Sequence, residues 1–498
     1  MLIAASTLLA TSFAAAEPVA KADKPTTPPA IAATAKRPAA DAFSRHTITI
    51  GTERIDYTAT AGTLPLVDAK GETQAHIFYT AYTVTEGGPR PVTFVFNGGP
   101  GAASAFLHLG AIGPRVIAYD AEGANPIRPV KLEDNPDSWL DVTDLVFVDP
   151  VETGYSRAPG GEDAAKDRFF GVDKDADALA ETVRLYLTRN GRLLDPVFIA
   201  GESYGGFRAA LLVKRLLASG LDVRGAVLIS PAVEFSLIRG DDVLLLPDVL
   251  ALPSIAASHA MRTSGAEAAK AIRAEAEAFA RGPYLMHVAA GRRDNPEINA
   301  ALARYTGLPI ADIARNQGRV SVRDYAQAYR RANDRVLSLY DGAVDAAVPR
   351  PATGHHADPV LDRAVTVLGP AMAAYTKSEL GYATDLDYRL LNRSVSRKWD
   401  FGSSPQRQGY AGALDDLEDA RALRPSLAIL FATGETDLVT PYATSRYLID
   451  QMKPLDGATP VAMTVYAGGH MMYLRRASRA ALAADARAHY AGQLGTAR

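Results

Sequence analysis

One ten-residue segment restricts the fold of this chain more than any other. Residues 197–206 have the sequence V-F-I-A-G-E-S-Y-G-G, an apolar run that leads into a glycine-rich turn, and a helical pattern follows over 207–218. A strand, a sharp turn carrying a serine and a helix together form a nucleophile elbow. The strained backbone of the elbow raises the serine hydroxyl above the edge of the sheet, where a base can reach it. The segment therefore predicts that Ser203 is the nucleophile of a serine hydrolase.

Two later strand-like runs end in the acid and the base that such a serine requires. Residues 427–437 (L-A-I-L-F-A-T-G-E-T-D) end in Asp437, and residues 461–470 (V-A-M-T-V-Y-A-G-G-H) end in His470. The order Ser203, Asp437, His470 is that of an α/β-hydrolase, whose catalytic side chains stand at the carboxyl ends of parallel strands. In this triad we expect His470 to take the serine proton and Asp437 to fix the tautomer and stabilise the imidazolium.

Each partner has an alternative interpretation in the sequence. Asp437 precedes Thr440-Pro441, where a helix begins, so it could serve only as a turn or helix cap. Glu435 is close enough in sequence to replace it as the acid of the triad. His470 could be a packed loop histidine, although the two glycines before it favour a functional turn.

A second glycine-rich loop predicts an oxyanion hole. Residues 92–104 (V-T-F-V-F-N-G-G-P-G-A-A-S) form a strand that runs into this loop. Acyl transfer needs backbone N–H groups aimed at the oxyanion, and glycines allow the backbone to approach that closely. In this fold the amide after the nucleophile, that of Tyr204, is one donor, and the early loop supplies the other. A phosphate-binding loop is the alternative, but the sequence has neither G-x-x-x-x-G-K-[ST] nor G-x-G-x-x-G.

Taken together and in order, the motifs resemble those of the serine carboxypeptidase family. The resemblance covers about residues 90–236 and 395–475. The segments that carry it are N-G-G-P-G at 97–101, V-E-T-G-Y-S-R-A at 151–158, G-E-S-Y-G-G at 201–206, G-E-T-D at 434–437 and G-H-M at 469–471.

This resemblance implies an enzyme that removes C-terminal residues from peptides through an acyl-enzyme, without a cofactor. It implies that Gly99 supplies the second oxyanion amide, and that Asn97 and Glu202 bind the C-terminal carboxylate of the substrate, with Glu202 protonated. The protonation is chemically reasonable, because two carboxylates confined in one pocket cannot both remain charged. The alternative is that Glu202 only supports the elbow.

The chain also departs from the family pattern. Ala111 stands where eukaryotic members have a second carboxylate-binding glutamate, and Val95 stands where they have a tryptophan. Ala102 replaces a cysteine, Tyr473 replaces a frequent proline, and Glu152 replaces a small residue. These changes resemble the bacterial branch of the family. They leave open another activity of the same fold (esterase, aminopeptidase or acyltransferase), and a non-catalytic binding protein is a further alternative.

The rest of the pattern predicts an α/β fold with a mostly parallel central sheet flanked by helices. Alternating residues over 46–85 predict antiparallel strands at the leading edge of this sheet, and strands and helices then alternate up to about residue 236. After residue 237 helical patterns such as 264–281 and 322–338 take over. The predicted organisation is a signal peptide (1–16), a disordered linker (17–44), a hydrolase core in two parts (45–236 and 395–498) and a helical cap insertion between them (237–394).

Composition excludes several classes of function. The net charge of −3, with both signs interspersed, does not favour nucleic-acid binding, and the absence of cysteine excludes disulfides and thiolate metal sites.

His355-His356 has no further metal-ligand pattern, so we predict no metal. Trp399 could line the pocket, but core packing is the simpler interpretation. The expected partner is a peptide substrate, and the sequence does not indicate an oligomeric state.

The N-terminal residues predict export. The apolar segment 2–16 ends in A-A-A before Glu17, as a signal-peptide cleavage site does, and it is too short to cross a membrane. It lacks a basic start, and the Pro/Ala/Lys-rich residues that follow could instead belong to the N-terminus of a cytosolic protein. We expect an exported protein, periplasmic or secreted, with no stable membrane span.

Overall fold

A computed structural model of the protein describes residues 39–86, 90–239, 243–291, 293–348, 357–402 and 411–494. The predicted signal peptide, most of the predicted linker, and His355 and His356 lie outside these ranges.

Thirteen strands occur in the described part of the chain, and nine of them form one sheet in the order β1-β2-β3-β7-β4-β8-β9-β12-β13. The bounds are β1 Ala42–Ile50, β2 Glu53–Val67, β3 Thr73–Val84, β4 Val92–Phe96, β5 Arg115–Ile117, β6 Leu132–Asp134, β7 Asp144–Val148, β8 Val197–Glu202, β9 Val223–Ile229, β10 Arg335–Leu337, β11 Asp345–Ala347, β12 Ala428–Gly434 and β13 Ala462–Tyr466. Antiparallel pairing joins β1, β2, β3 and β7. Parallel pairing joins the remaining strands of this sheet in the order β7, β4, β8, β9, β12 and β13. The predicted α/β fold with an antiparallel leading edge is confirmed.

The sheet starts three residues earlier than the sequence predicted. Residues 42–44, assigned above to the linker, already pair with 59–61 of β2. The alternating pattern that indicated a strand from residue 46 continues backwards into these residues, with Ala42 and Ser44 half-buried and Phe43 exposed.

Helices cover both faces of the parallel strands. The bounds are α1 Ala105–Leu107, α2 Gly161–Phe169, α3 Val172–Arg189, α4 Tyr204–Ala218, α5 Leu246–Ser264, α6 Ala266–Phe279, α7 Leu285–Ala289, α8 Pro296–Thr306, α9 Ile310–Arg315, α10 Val322–Asn333, α11 Leu361–Ser378, α12 Arg393–Lys398, α13 Leu414–Leu423, α14 Tyr442–Gln451 and α15 Arg476–Leu494. One face packs against α3, α4 and α13, and the other against α11 and α15. Successive residues of β4 show the alternation, since Phe94 belongs to the first apolar cluster and Val95 to the second.

The insertion between β9 and β12 is mostly helical, but it differs from the prediction in two ways. Helices α5, α6, α8 and α10 share an apolar cluster of their own, whereas α11 packs into the cluster on the second face of the sheet. The predicted helical segment 322–338 ends at Asn333, because Asp334 takes a left-handed conformation (φ 51°) and residues 335–337 pair with 345–347.

Candidate active site

Ser203 lies at a sharp turn between β8 and α4. Its backbone has φ 59° and ψ −122°, a conformation that non-glycine residues rarely adopt. The turn also requires Gly205, since a Cβ there would lie 2.3 Å from the carbonyl oxygen of Phe96. The elbow therefore packs directly against the end of β4, where the glycine-rich loop begins.

The structure brings Asp437 and His470 together at the same edge of the sheet. His470 Nδ1 lies 2.8 Å from Asp437 Oδ2, and both side chains are buried. A carboxylate can only accept, so Nδ1 carries the proton, and Nε2 is the nitrogen that can take one. Asp437 also accepts hydrogen bonds from the Val439 and Thr440 amides, so it forms the turn considered above while it binds the histidine.

Hydrogen bonds link the neighbourhood of the elbow to the histidine loop. The Ser203 amide donates to the carbonyl of Ile229 at the end of β9 (2.9 Å). The hydroxyl of the next residue, Ser230, donates to the His470 carbonyl (2.9 Å). Hydrogen bonds through the end of β9 thus connect the turn after β8, which carries Ser203, with the loop after β13, which carries His470.

Two further residues hold the histidine and were not predicted from the sequence. The Thr440 hydroxyl lies 2.7 Å from Asp437 Oδ2 and 3.1 Å from His470 Nδ1. Tyr340, from the insertion, accepts the His470 amide with its carbonyl (2.6 Å) and sets its ring edge-on to the imidazole at 5.1 Å. The T-P sequence after Asp437 was a signal for Thr440, whereas Tyr340 is distant in sequence and had none.

Electrostatics favour His470 as a base. Burial alone would lower the pKa of His470, but the charge and hydrogen bond of Asp437, with the charge of Glu202, raise this pKa above its ordinary value. Glu435, the rival acid, is also buried but lies 3.9 Å from Arg273 of α6, and burial raises its pKa to about 7. His470 Nδ1 donates its hydrogen bond to Asp437 and not to Glu435, so Asp437 has the geometry of a triad acid.

The two predicted oxyanion donors are available for a ligand. Within the described residues, neither the Gly99 amide nor the Tyr204 amide donates to a protein acceptor. Tyr204 is the first residue of α4, and the Ser203 side chain does not cap this helix. The N-terminus of α4 therefore presents a free N–H and the positive end of a helix dipole beside Ser203.

Asn97 and Glu202 contact each other in a buried pair. The Asn97 side-chain nitrogen donates to Glu202 Oε2, and its oxygen accepts the Leu107 amide (2.9 Å). Burial raises the pKa of Glu202 to about 7, although the charge of His470 and the hydrogen bonds from Tyr473 and Asn97 act in the opposite direction. A neutral carboxyl is thus available below about pH 7, one residue before the nucleophile.

Tyr473 is the third member of this group, and the sequence marked it only as a departure from a proline. Its buried hydroxyl lies 2.8 and 2.9 Å from the two carboxyl oxygens of Glu202. Its ring occupies space left by Gly110, where a Cβ would lie 2.9 Å from Cε2 of the ring. Val95 and Ala111, at the positions of the absent tryptophan and glutamate, are buried apolar residues. A tyrosine from the histidine loop therefore holds Glu202 in this chain.

Glu152 and Trp399 take structural positions. Glu152 is buried, forms an ion pair with Arg389 and accepts the Ala158 amide (2.9 Å). The Trp399 indole is buried and donates to the Tyr204 hydroxyl (3.0 Å). Arg389 and the Ala158 amide therefore occupy the Glu152 carboxylate.

One segment of the chain is similar to a known protein family. Residues 55–224 match the family model described as serine carboxypeptidase. This segment, about a third of the chain, is therefore similar to the serine carboxypeptidase family.

Individual members of the family are distant relatives. Serine carboxypeptidase-like 36 of Arabidopsis thaliana is 26% identical over 168 residues, which cover 31% of each chain. The pheromone-processing carboxypeptidase kex1 of Sclerotinia sclerotiorum is 32% identical over 130 residues, 24% of this chain and 17% of the relative. The matches thus span about a third or less of these relatives.

A solved structure extends the likeness in fold to most of the chain. The prohormone-processing carboxypeptidase Kex1 of Saccharomyces cerevisiae superposes with a TM-score of 0.56 and 14% identity, over 87% of this chain and 92% of that one. The likeness in fold therefore extends well beyond residues 55–224, the segment that the family model matches.

The described residues offer neither a metal cluster nor a membrane-spanning helix. They contain no group of three or more His, Asp or Glu side chains placed to hold a metal ion. None of the helices in the described ranges is both long and apolar enough to cross a bilayer.

Proposed function

We propose that this protein is a serine-type carboxypeptidase that cleaves the last peptide bond of its substrate. The observation that carries the proposal is the buried Asn97–Glu202 pair placed directly beside the nucleophile turn, with free amides at Gly99 and Tyr204. A generic acyl hydrolase needs the free amides, but it does not need a protonated carboxyl at this position.

The reaction follows from the positions of the three triad residues. Ser203 Oγ attacks the scissile carbonyl carbon while its proton passes to His470 Nε2, and the Gly99 and Tyr204 amides bind the oxyanion. The imidazolium then gives this proton to the leaving amine as the C–N bond breaks. Water, deprotonated by His470, hydrolyses the acyl-enzyme and regenerates the serine. Asp437 stabilises the imidazolium in both halves of the reaction.

Recognition of the C-terminus follows from the distance between Glu202 and Ser203. Glu202 and Ser203 are adjacent residues. A substrate whose carboxylate is bound at Glu202 therefore has room for one residue between this carboxylate and the carbonyl that Ser203 attacks. Neutral Glu202 can donate its proton to the substrate carboxylate, and the Asn97 amide nitrogen has a second N–H for it. This arrangement selects the final residue of a peptide.

A second candidate is an esterase or another acyl hydrolase of the same fold. The buried apolar side chains of Val95 and Ala111 favour it, because the carboxylate site has fewer donors than the full family pattern implies. A non-catalytic binding protein would not need the strained conformation of Ser203, which has a cost in stability.

For location, we propose export, with cleavage of the signal segment before Glu17. The supporting observation is the apolar segment 2–16 with its A-A-A end. N-terminal sequencing of the protein from its native source tests this, since a cytosolic protein that begins at Met1 would contradict it.

Covalent labelling tests the proposed chemistry. A fluorophosphonate should add to the intact protein once, and digestion should place the adduct on the peptide that contains Ser203. The variant Ser203→Ala should take no label and should not hydrolyse peptides or esters. Normal turnover by this variant would remove the mechanism.

A further inference from the structure

We infer that Arg208 is a positioning residue that holds both donors of the oxyanion hole, through the Asn97–Gly98 backbone on one side and Tyr204 on the other. This inference rests on the proposed serine-hydrolase chemistry and concerns a residue outside the triad. Arg208 lies on α4, one turn after Tyr204, and is 1% exposed.

All parts of the Arg208 guanidinium have a defined partner. Nε lies 2.6 Å from Asp175 Oδ2, and Nη2 lies 3.4 Å from Asp175 Oδ1. Nη1 donates to the carbonyl oxygens of Asn97 (2.6 Å) and Gly98 (3.3 Å). The guanidinium carbon stands 4.8 Å from the ring centre of Tyr204. A single buried cation thus contacts the backbone of the glycine-rich loop and the first residue of α4.

The carbonyl of Gly98 and the amide of Gly99 belong to one planar peptide unit. This bond is trans, so its C=O and N–H point in opposite directions. When Arg208 holds the carbonyl, the Gly99 N–H is turned to the opposite side, where it has no protein acceptor among the described residues. The Ala102 amide donates to the same carbonyl (3.1 Å), so Arg208 and Ala102 together set the direction of this oxyanion donor.

The other donor is fixed through the side chain of the same residue. The Tyr204 ring packs against both the Arg208 guanidinium and the indole of Trp399, whose Nε1 donates to the Tyr204 hydroxyl (3.0 Å). These contacts restrict the first turn of α4, so the Tyr204 amide cannot rotate away from the nucleophile. Preorganised donors of this kind lower the barrier because they need no rearrangement in the transition state.

The Arg208–Asp175 pair could instead serve only the stability of the fold, but this alternative explains its contacts less well than a positioning role does. Buried ion pairs are often no more stabilising than apolar residues of the same volume, since both charges lose their hydration. Asp175 would also be satisfied by an arginine that did not reach the loop. The two carbonyl contacts are the part of the arrangement that stability does not require.

Arg208→Lys tests the inference, with Arg215→Lys as its matched control. Lysine keeps the charge, but its compact ammonium cannot reach Asp175 and the two carbonyls together. Arg215 lies on the same helix, two turns later, and pairs with Asp173 and Asp177 instead. Both variants are compared with the wild type for kcat and KM on an ester, and for inhibition by a boronic acid, whose adduct with Ser203 places an anionic oxygen in the hole.

In Arg208→Lys we expect kcat and boronate affinity to fall together by about 10- to 100-fold, below the full loss of one oxyanion donor. KM should change less than threefold, and Arg215→Lys should match the wild type. If Arg208→Lys does not fold, the same measurements are made on the double variant Arg208→Met/Asp175→Leu. This variant leaves no unpaired buried charge, and the same losses are expected. A variant with wild-type kcat and boronate affinity, or one that loses only thermal stability, overturns the inference. Failure of the wild type to hydrolyse esters and bind fluorophosphonate would instead overturn the proposed function and, with it, this inference.

Discussion

Removing the hydroxyl of Tyr473 should move the pH range over which the enzyme distinguishes a free C-terminus. In Tyr473→Phe, the carboxylate form of Glu202 loses the hydrogen bond that the tyrosine donates. A hydrogen bond to a charged group contributes about 1.5–3 kcal/mol, and about 1.4 kcal/mol corresponds to one pKa unit. The pKa of Glu202, about 7 in the wild type, should therefore rise to between about 8 and 9.

The assay compares kcat/KM for one peptide as the free acid and as the C-terminal amide, from pH 5 to 10. The ratio of the two values isolates Glu202, because the titration of His470 acts on both substrates alike. In the wild type the ratio should fall above about pH 7, and in Tyr473→Phe the fall should begin about one to two pH units higher. Tyr466→Phe is the matched control, since its hydroxyl donates to Asp485 (2.6 Å), a carboxylate away from the site. A midpoint that stays in place, or moves down, would refute the role assigned to Tyr473.

Three further changes test other parts of the site. Asp437→Asn should lower kcat by about 10⁴-fold with little change in KM, measured by steady-state kinetics, because the imidazole tautomer is no longer fixed. Gly205→Ala should destabilise the fold by at least about 1–3 kcal/mol in urea unfolding, since the added Cβ would lie 2.3 Å from the Phe96 carbonyl, whereas Gly492→Ala meets nothing within 4 Å and should not. The pKa of Glu202 is about 7 in the folded protein and 4.5 in the unfolded chain, so the folded state binds this proton more tightly. Glu202 therefore stabilises the fold fully below about pH 4.5, and this stabilisation is lost as pH rises through about 7. Glu202→Gln should therefore remove about 3 kcal/mol of the pH dependence of unfolding between pH 4.5 and 8.

The sequence predicted those parts of the site that depend on local order along the chain. A strand that ends in a turn places its next side chain at the sheet edge, so the ends of β8, β12 and β13 could be assigned to Ser203, Asp437 and His470 without knowledge of the packing. The structure gives Asp437 and His470 a direct hydrogen bond and places Ser203 beside the same strand ends. The catalytic roles remain predictions.

The remaining contacts could not be predicted because they join segments far apart in the chain. Tyr473 reaches Glu202 across 271 residues, and Arg208 reaches Asn97 across 111. An arginine within an apolar helix gave a signal, since a buried cation requires partners, but the sequence did not indicate which ones. The packing of α11 could not be predicted for the same reason. Its apolar face would suit a helix packed within the insertion as well as one packed against the sheet.

The most direct test of the proposed activity is mass spectrometry of peptides incubated with the purified protein. Each peptide is supplied with and without an N-acetyl group, and both as the free acid and as the C-terminal amide, with Ser203→Ala as the blank. The account predicts a ladder of products that lose one residue at a time from the C-terminus of the free acids, with slower loss from the amides. Internal cleavage, shortening of unblocked peptides from the N-terminus, or hydrolysis of esters without any loss from peptides would contradict it.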